Sequence, residues 1–403
     1  MIFYIERKTF MKLKSIFAIL LSLIFVAALF GCSAPAETTA GSNNTTASST
    51  EAPSEFGGGS GTAEDPYVIT EARHWQNISA HLSAHYVLGA DISLASIEKL
   101  APIGTASKPF TGSLDGRGFK IKNAMVSAKE DCGLFGVISG ATLKNITLEE
   151  SVIDFAYKKQ ARIYYGGLVA QAKSASRIEN CHIRSTDINY GTSWGDYIYV
   201  GGLVGNLTSF SELVYCSVDM TFMAEDANGD IHFGGIAGSA ENATVLGCSA
   251  SGTVTVKTPS NSLNYKTRQV AGLIFKASNT KMMHCYSSLD FIDNTAPKYT
   301  AALVYELDKE TNVCYNASFN AFLKEPMLAD STANTKYKGR YNSCGMMRND
   351  SDAVNLYFRA SEGLSIEKMN SAMLGESFGG AFVEGKLHPV LTDYETFMEL
   401  IKE

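Results

Sequence analysis

The feature that most constrains the fold is a motif that returns every 30 to 37 residues along the chain. Six segments share a pair of small residues followed by apolar residues, and most of them end in a cysteine. They begin at residues 132, 166, 201, 234, 271 and 301. Self-similarity at so regular a period is typical of an architecture built from stacked repeats.

The composition of each copy favours strands over helices. The apolar runs are short, rich in Val, Ile, Tyr and Thr, and separated by Gly, Asn and Ser. Ankyrin and tetratricopeptide repeats have a similar length, but they would place apolar residues three and four positions apart. Each copy offers about three strands: one led by glycine, one that carries the cysteine, and a variable third. The sequence therefore predicts an all-β fold, a single-stranded parallel β-helix (β-solenoid) with three short strands per turn, capped at both ends.

Five cysteines occupy one position in successive copies, where the first copy has Ile146. They are Cys181, Cys216, Cys248, Cys285 and Cys314. Their flanking residues alternate between polar and apolar, which points the thiols inward. Directly stacked cysteines rarely meet the disulfide torsion, and no Cys-x-x-Cys pair offers zinc a tetrahedral set. The prediction is a structural ladder of buried thiols, with disulfides or metal chemistry as the less favoured alternatives.

The N-terminus carries a targeting signal. Lys12 and Lys14 precede an apolar segment from Ile16 to Leu29, which is too short to span a bilayer comfortably. Residues 1–31 are therefore predicted to be a signal peptide. The residues after it, up to about Gly59, lack the apolar side chains needed for a core and predict a disordered tether.

The end of that apolar segment, Leu-Phe-Gly-Cys at residues 29–32, resembles the lipobox of bacterial lipoproteins. The resemblance implies that the Cys32 sulfur receives a diacylglycerol and that cleavage leaves Cys32 first. More than one acyl chain makes membrane anchoring stable. The expected location is therefore extracytoplasmic, anchored by lipid to the cell membrane or cell surface. The formal net charge of −7 disfavours nucleic acid as a partner.

The repeats resemble the GLUG-motif proteins of bacterial surfaces, and Gly202-Leu203-Val204-Gly205 is the copy nearest to that motif. The resemblance covers about residues 59–393 and implies a right-handed β-helix involved in surface attachment. The predicted organisation has five parts. These are a signal peptide at 1–31, the lipidated cysteine and tether at 32–58, an N-terminal cap with the first turns at 59–130, GLUG-like repeats at 131–319, and degenerate last turns with a C-terminal cap at 320–403.

Two successive copies carry a concentration of aromatic residues. Tyr164, Tyr190, Trp194 and Tyr197 are the predicted ligand-binding side chains, because flat rings stack on sugars or anchor protein partners. The alternative is that these rings only cover the side of the solenoid. A third role, that of a plain spacer, would need no binding residue at all.

Enzyme chemistry finds little support in the sequence. Glycoside hydrolysis needs two carboxylates across a sugar, and no such pair recurs over adjacent turns. The glycine pairs lack the Gly-Lys-Ser/Thr ending of a phosphate loop, and "HLSAH" (residues 81–85) lacks the glutamate of a zinc protease. We expect no catalytic residue, metal or cofactor. The predicted function is a membrane-anchored binding surface for a glycan or for a host or matrix protein, and the alternative is a carbohydrate-active enzyme on the same scaffold.

Overall fold

The structure is a computed structural model of the chain. It describes residues 54–128, 130–155, 162–190, 197–224, 231–256, 268–293, 300–301, 303–307, 312–314, 316–319, 355–358, 382–383, 390–391 and 394–400. The predicted signal peptide, Cys32 and most of the predicted tether lie outside the described residues.

Strands make up nearly all of the regular secondary structure in the described residues, with two short α-helices and one 3₁₀ turn (Ile78–Ala80). The helices are α1 (Ala72–Asn77) and α2 (Tyr394–Leu400). The strands in chain order are β1 (Tyr67–Ile69), β2 (His85–Leu88), β3 (Ile92–Ser93), β4 (Ser113–Asp115), β5 (Lys120–Lys122), β6 (Met125–Ala128), β7 (Phe135–Ser139), β8 (Thr142–Lys144), β9 (Thr147–Glu149), β10 (Val152–Phe155), β11 (Arg162–Gly166), β12 (Val169–Lys173), β13 (Arg177–Glu179), β14 (His182–Tyr190), β15 (Tyr197–Gly201), β16 (Val204–Thr208), β17 (Glu212–Val214), β18 (Ser217–Ala224), β19 (Ile231–Gly234), β20 (Ala237–Glu241), β21 (Thr244–Leu246), β22 (Ser249–Val256), β23 (Arg268–Ala271), β24 (Ile274–Ser278), β25 (Lys281–Met283), β26 (Tyr286–Asp293), β27 (Thr300–Ala301), β28 (Val304–Leu307), β29 (Asn312–Cys314), β30 (Asn316–Phe319), β31 (Asn355–Phe358), β32 (Phe382–Val383) and β33 (Val390–Leu391).

Each strand pairs in parallel with the equivalent strand of the next turn, which confirms the predicted β-solenoid. Sheet A has the order β1-β2-β4-β8-β13-β17-β21-β25-β29, and sheet B runs β3-β5-β9-β14-β18-β22-β26-β30-β31, with β10 and β6 attached through β14. Sheet C has the order β7-β12-β16-β20-β24-β28, and sheet D has β11-β15-β19-β23-β27. A separate antiparallel pair joins β32 to β33.

The regular turns contain four strands, one from each sheet, and not the predicted three. Four successive turns repeat the order D, C, A, B: β11–β14, β15–β18, β19–β22 and β23–β26. The prediction was wrong because the variable third segment is split between two sheets. Its first half forms the long strand of sheet B, and its second half forms the sheet D strand of the following turn.

One core runs along the inside of the solenoid. Inward residues of every sheet contribute, such as Ile178 in sheet A, Val218 in sheet B and Val204 in sheet C, and each is at most 1% exposed. Because strands of adjacent turns are in register, each inward side chain stacks on its equivalent in the next turn. This stacking explains why the sequence repeats types of residue and not exact residues.

The N-terminal cap begins earlier than predicted. Residues 54–58 were assigned to the tether, yet Phe56 is buried and its ring stacks on Tyr67 at 4.1 Å. The Gly57 N–H donates to the Val68 carbonyl at 2.8 Å. The Arg73 and Asn77 side chains also donate to the Ser54 and Glu55 carbonyls, at 2.6 and 2.7 Å, so the folded body includes these residues.

The C-terminal part contributes both to the last turn and to the side of the solenoid. Strand β31 pairs in parallel with β30 and extends sheet B, as degenerate last turns would. Helix α2, in contrast, packs beside turns in the middle of the solenoid, where the Tyr215 ring lies 5.4 Å from that of Phe397. This helix is a lateral cover and not an end cap.

Candidate functional site: an aromatic corner between two sheets

The cysteine column lies where strands of sheet A pass into strands of sheet B, which we call the A/B corner. The side chains of Cys181, Cys216, Cys248 and Cys285 are buried and form no disulfide. The Cys216 sulfur lies 3.4 Å from the Val214 carbonyl oxygen, within its own turn, and 3.5 Å from that of Ile178 in the preceding turn. Burial raises the pKa of the Cys181 and Cys248 thiols, which keeps these two thiols protonated and unreactive.

Cys314 falls out of this column. Strand β29 pairs with β25 so that Cys314 lies opposite Met283, two residues before Cys285. The cysteines are 29 residues apart (285 to 314), whereas the pairing register is 31 residues (281 to 312). Alignment on the cysteine therefore misplaced this copy, because Val313 is the residue in register with Met282.

The outer side of the A/B corner carries a chain of hydrogen bonds between turns. Asn145 donates from Nδ2 to Asp115 at 2.9 Å, and Asn180 donates to Asn145 at 2.9 Å. The ring nitrogens of His182 lie 2.9 Å from Asn180 Oδ1 and 2.7 Å from Ser217 Oγ. Further along the same corner, the ring of Phe397 from α2 seats over Gly247, where a Cβ would lie 2.2 Å from it. These hydrogen-bonded groups line an open groove of about 470 Å³ at one end of the corner, and α2 covers the corner further along.

The glycine motif lies at a different bend, where strands of sheet D pass into strands of sheet C, the D/C corner. A Cβ on Gly202 would lie 2.1 Å from the Gly235 carbonyl oxygen, and one on Gly167 would lie 2.4 Å from that of Gly202. Backbones of adjacent turns therefore touch at this bend, and only a residue without a side chain fits. The role of these glycines is to shape the bend.

A column of aromatic rings stacks on the outside of the D/C corner. Tyr164 lies in register with Tyr199 and then His232 in sheet D, and the first two rings stack at 5.6 Å. His232 stacks on Phe275 of sheet C at 4.3 Å, and Phe275 stacks on Tyr305 at 5.3 Å. Tyr199, Phe275 and Tyr305 belong to a cluster separate from the main core, with Tyr164 packed against it. Tyr199, His232, Phe275 and Tyr305 are each at most 6% exposed, whereas Tyr164 is half-buried, so most of this ring column is covered by its neighbours.

One position of the motif, that of Gly205 in Gly202–Gly205, decides which side chain fills the D/C corner. Successive turns have Ala170, Gly205, Gly238, Phe275 and Tyr305 at this position. A Cβ on Gly238 would lie 2.9 Å from the Tyr199 backbone, so sheet D approaches closely where the position is small. In later turns the rings of Phe275 and Tyr305 fill the same space. The sequence contains this change from small to aromatic residues, but it can be recognised only once the pairing register between turns is known.

Beside the rings, sheet C presents a row of polar side chains. Gln171, Asn206, Ser239, Lys276 and Glu306 are in register on its outward face. The Ser239 hydroxyl donates to Asn206 Oδ1 at 2.7 Å, and the Lys276 ammonium lies 3.5 Å from the Glu306 carboxylate. The corner is therefore lined by rings on one side and by amide and hydroxyl groups on the other.

Asp131 and Arg162 are the charged side chains at the end of the D/C corner where sheet D begins. Asp131 accepts hydrogen bonds from the Tyr164 backbone N–H at 3.0 Å and from the Gln171 amide. Burial raises the pKa of its carboxyl above the ordinary value. Burial also raises the pKa of the Tyr164 hydroxyl, and the nearby Arg162 guanidinium opposes that rise. Arg162 itself lies 5.9 Å from the centre of the Tyr199 ring.

The four aromatic residues predicted to bind a ligand do not all lie on the same face. Tyr164 and Tyr197 both lie on the outward face of sheet D, and Tyr197 is 52% exposed with its ring 6.1 Å from His232. Tyr190 ends β14 in sheet B, paired with Phe155 and Ala224, so it does not belong to this face. Trp194 lies outside the described residues. Sequence reasoning missed His232, Phe275 and Tyr305.

Buried Cys132 is held against the start of sheet D by a bridge to Tyr165. Burial raises the pKa of the Cys132 thiol to about 12, so the thiol stays protonated. Within the part of the chain that the structure describes, no group of three or more His, Cys, Asp or Glu side chains could hold a metal ion. The described helices also include none that is long and apolar enough to cross a bilayer.

Comparison with known proteins supports the motif. Residues 229–255, the copy that holds Gly234 and Cys248, match the model of the GLUG motif. This segment is a GLUG motif. It is the copy after Gly202–Gly205, which the sequence alone had suggested as the nearest.

Two curated protein sequences match about a quarter of the chain. A "Putative Gly-rich membrane protein" of Evansella cellulosilytica is 33% identical over 105 residues, and halomucin of Haloquadratum walsbyi is 30% identical over 114 residues. Each match covers 24% of this chain, but only 12% of the first protein and 1% of the second. The chain thus matches a small part of each relative.

Two solved structures overlap a larger share of the chain. A crystal structure of a "putative immunoglobulin A1 protease" from Bacteroides ovatus covers 84% of this chain at 18% identity, and this chain spans 95% of it, with a TM-score of 0.49. An IgA1 protease covers 72% of this chain at 16% identity, and this chain spans 21% of it, with the same TM-score. A TM-score below 0.5 does not establish a shared fold, so the fold above rests on the strand pairing of this chain alone.

Proposed function

We propose that this protein is anchored by lipid outside the cytoplasmic membrane and binds glycans along the D/C corner. The observation that carries the proposal is the pairing of the exposed Tyr197 ring and the half-buried Tyr164 ring on sheet D with the amide and hydroxyl groups on sheet C. Sugar rings have apolar faces that stack on aromatics and hydroxyl edges that hydrogen-bond to amides. Tyr164 and Tyr197 supply the ring faces, and the Gln171–Asn206–Ser239 row supplies the polar groups.

The repeat of the solenoid favours a polymeric ligand. Equivalent residues of adjacent turns stand about 4.8 Å apart, the spacing of paired strands. A chain molecule lying along the solenoid axis would meet similar chemistry at each turn, so weak contacts would add up. We therefore favour a polysaccharide over a small sugar. Arg162 and Tyr197, both exposed at the edge of sheet D, would contact it first.

The proposed location depends on the N-terminal segment. Acylation of Cys32 would hold the chain on a membrane, and the polar tether would separate the folded body from it. One relative is named as a membrane protein, which agrees with such a location. Replacement of Cys32 by Ser tests the anchor: fatty-acid labelling and recovery in the membrane fraction should both be lost. Labelling of the Cys32→Ser variant equal to that of the native chain would contradict the anchor.

A glycan array tests the binding function. The full chain, solubilised in detergent, would be compared with Tyr197→Ala and Asn206→Ala. The matched control is Met223→Ala, because Met223 is an exposed apolar residue on sheet B, away from the corner. We expect each corner variant to weaken glycan binding by about tenfold, equivalent to one ring or hydrogen-bond contact. The control should bind as the native chain does.

Three outcomes would overturn this proposal. Absence of glycan binding by the native chain would favour a spacer or a protein-binding role. Equal loss in the Met223 control would show that the corner is not the site. Release of shortened sugars from a bound polysaccharide, followed by mass spectrometry, would establish the alternative of a carbohydrate-active enzyme.

A further inference from the structure

The bend where strands of sheet C pass into strands of sheet A, the C/A corner, has an unusual residue at one turn. Phe210 has a φ of 63° and its side chain is 75% exposed. A large side chain in the left-handed region strains the backbone, and an exposed ring gains no hydrophobic burial that would offset the strain. Strain of this kind persists where a function requires it.

Neighbouring turns show that the fold itself does not need a ring at this bend. The preceding turn has Ala175 at the equivalent place, with a φ of 57°, and the next two turns have Asn242 and Asn279 at a bend one residue shorter, with φ values of 50° and 43°. Asparagine tolerates the left-handed region well. The Phe210 N–H donates to the Asn242 carbonyl at 2.6 Å, a backbone bond that any residue but proline would make. The backbone of this bend therefore does not require an aromatic side chain.

An open groove of about 390 Å³ lies beside the ring and spans three turns. Phe210 forms one end, and the amides of Asn242 and Asn279 form a wall in which Asn279 donates to Asn242 Oδ1 at 2.7 Å. The Thr244 side chain lies on the groove as well. Ring face, amides and hydroxyl again occur together, as at the D/C corner.

One carboxylate and one ammonium group line this groove. The Glu212 carboxylate pairs with the Arg177 guanidinium, which also pairs with Glu179. Lys281 also lines it, and no carboxylate among the described residues forms a salt bridge with its ammonium group. A ligand with a carboxylate would satisfy Lys281 while its sugar ring stacks on Phe210.

We propose that the C/A corner is a second glycan-binding groove, specific for carboxylated sugars, with Phe210 as the stacking platform and Lys281 as the partner of the carboxylate. The inference rests on the proposed glycan-binding function, but its residues are distinct from those of the D/C corner. The two grooves lie at opposite ends of the same sheet C strands, because β16 begins after Gly202 and ends before Phe210.

The test uses an array that presents polygalacturonate, alginate, hyaluronate and sialylated oligosaccharides beside methyl-esterified or desialylated counterparts. The full chain in detergent is compared with Phe210→Asn, Lys281→Gln and the D/C corner variant Tyr197→Ala. Phe210→Asn keeps a residue that the chain itself uses at this bend, so we expect it to fold with equal or higher thermal stability. Affinity for carboxylated glycans should fall about tenfold in Phe210→Asn and about threefold in Lys281→Gln.

Each result has a distinct meaning. Loss in Phe210→Asn, together with a preference for carboxylated over neutral probes that Lys281→Gln abolishes, supports the second groove. Unchanged binding in Phe210→Asn while Tyr197→Ala loses binding overturns the second groove and leaves the proposed function intact. Loss in Phe210→Asn with unchanged binding in Tyr197→Ala supports the second groove and overturns the D/C corner as the site. Absence of any carboxylated-glycan binding by the native chain overturns the inference, and the neutral probes then decide the proposed function.

Discussion

The D/C corner and the A/B corner each restrict the residue that points into the solenoid, but for different reasons. At the D/C corner the limit is set by backbone, because a Cβ on Gly202 would meet a carbonyl oxygen at 2.1 Å. At the A/B corner the limit is set by side-chain packing, and Ile146 occupies the place that cysteine holds in the next four turns. A backbone limit tolerates no substitution, whereas a packing limit tolerates several.

The outer faces of these two corners differ as well. The A/B corner carries a chain of hydrogen-bonded polar side chains and is covered in part by α2, while the D/C corner carries a mostly buried ring column with the exposed Tyr197 beside it. Inner residues of a solenoid therefore set its shape, and outer residues set what it presents. The corner with the most restricted inner residue is the one whose outer face is proposed to bind.

The largest expected effect is that of a methyl group at the backbone-limited corner. Gly202→Ala should lower the free energy of unfolding by about 4 kcal/mol, since backbone of two turns must separate. Gly118→Ala is the control, because its Cβ would find nothing within 4 Å and only its φ of 82° opposes the change. Denaturant unfolding of both variants measures the difference. Equal destabilisation would mean that backbone contact does not limit the D/C corner.

A pH dependence should distinguish the A/B corner. His284 lies in its outer column, and burial, followed by the charge of Lys281, lowers its pKa to about 4. Between about pH 6.5 and pH 4, the His284 imidazole is therefore protonated in the unfolded chain and neutral in the folded chain. Stability is full above that window and is lost as the pH falls through it, by about 3 kcal/mol from this group.

His284→Asn should remove the part of the stability loss at low pH that comes from His284. Asparagine suits the φ of 55° at this position, so the backbone need not change. Urea unfolding at several values between pH 7 and pH 4.5 gives the comparison. A slope with pH that is as steep in the variant as in the native chain would disprove the role of His284.

A smaller effect is expected inside the A/B corner. Cys216→Ala should cost about 1 kcal/mol, because it removes one sulfur atom from a packed column and leaves a small cavity. The variant should keep the solenoid fold by circular dichroism. A loss as large as that of Gly202→Ala would break the distinction between a packing limit and a backbone limit.

The smallest effect concerns the cover of the A/B corner. The Tyr394 hydroxyl of α2 donates to Glu179, and Tyr394→Phe should weaken docking of the helix by about 0.5 kcal/mol. Amide exchange in residues 394–400 should accelerate while that of sheet A stays unchanged. Uniform acceleration across the solenoid would show that α2 supports the whole fold and does not merely cover its side.

Much of the architecture followed from the sequence. The period, the strand composition and the inward alternation of Cys181, Cys216, Cys248 and Cys285 predicted a parallel solenoid, because in-register stacking forces equivalent positions to repeat their chemistry. The bends at Gly202 and its equivalents were also visible. These features are local to each turn, so a single repeat carries the information.

The tertiary structure decided what depends on contacts between turns. The pairing of β25 with β29 moved Cys314 out of the column, and the pairing of β15 with β11 and β19 made a fourth sheet. The ring column joins His232 and Phe275, which are 43 residues apart, and α2 reaches back to Glu179 over 215 residues. No local pattern encodes such contacts. Sequence alone determined the stack, and the register between turns determined which side chains meet on its surface.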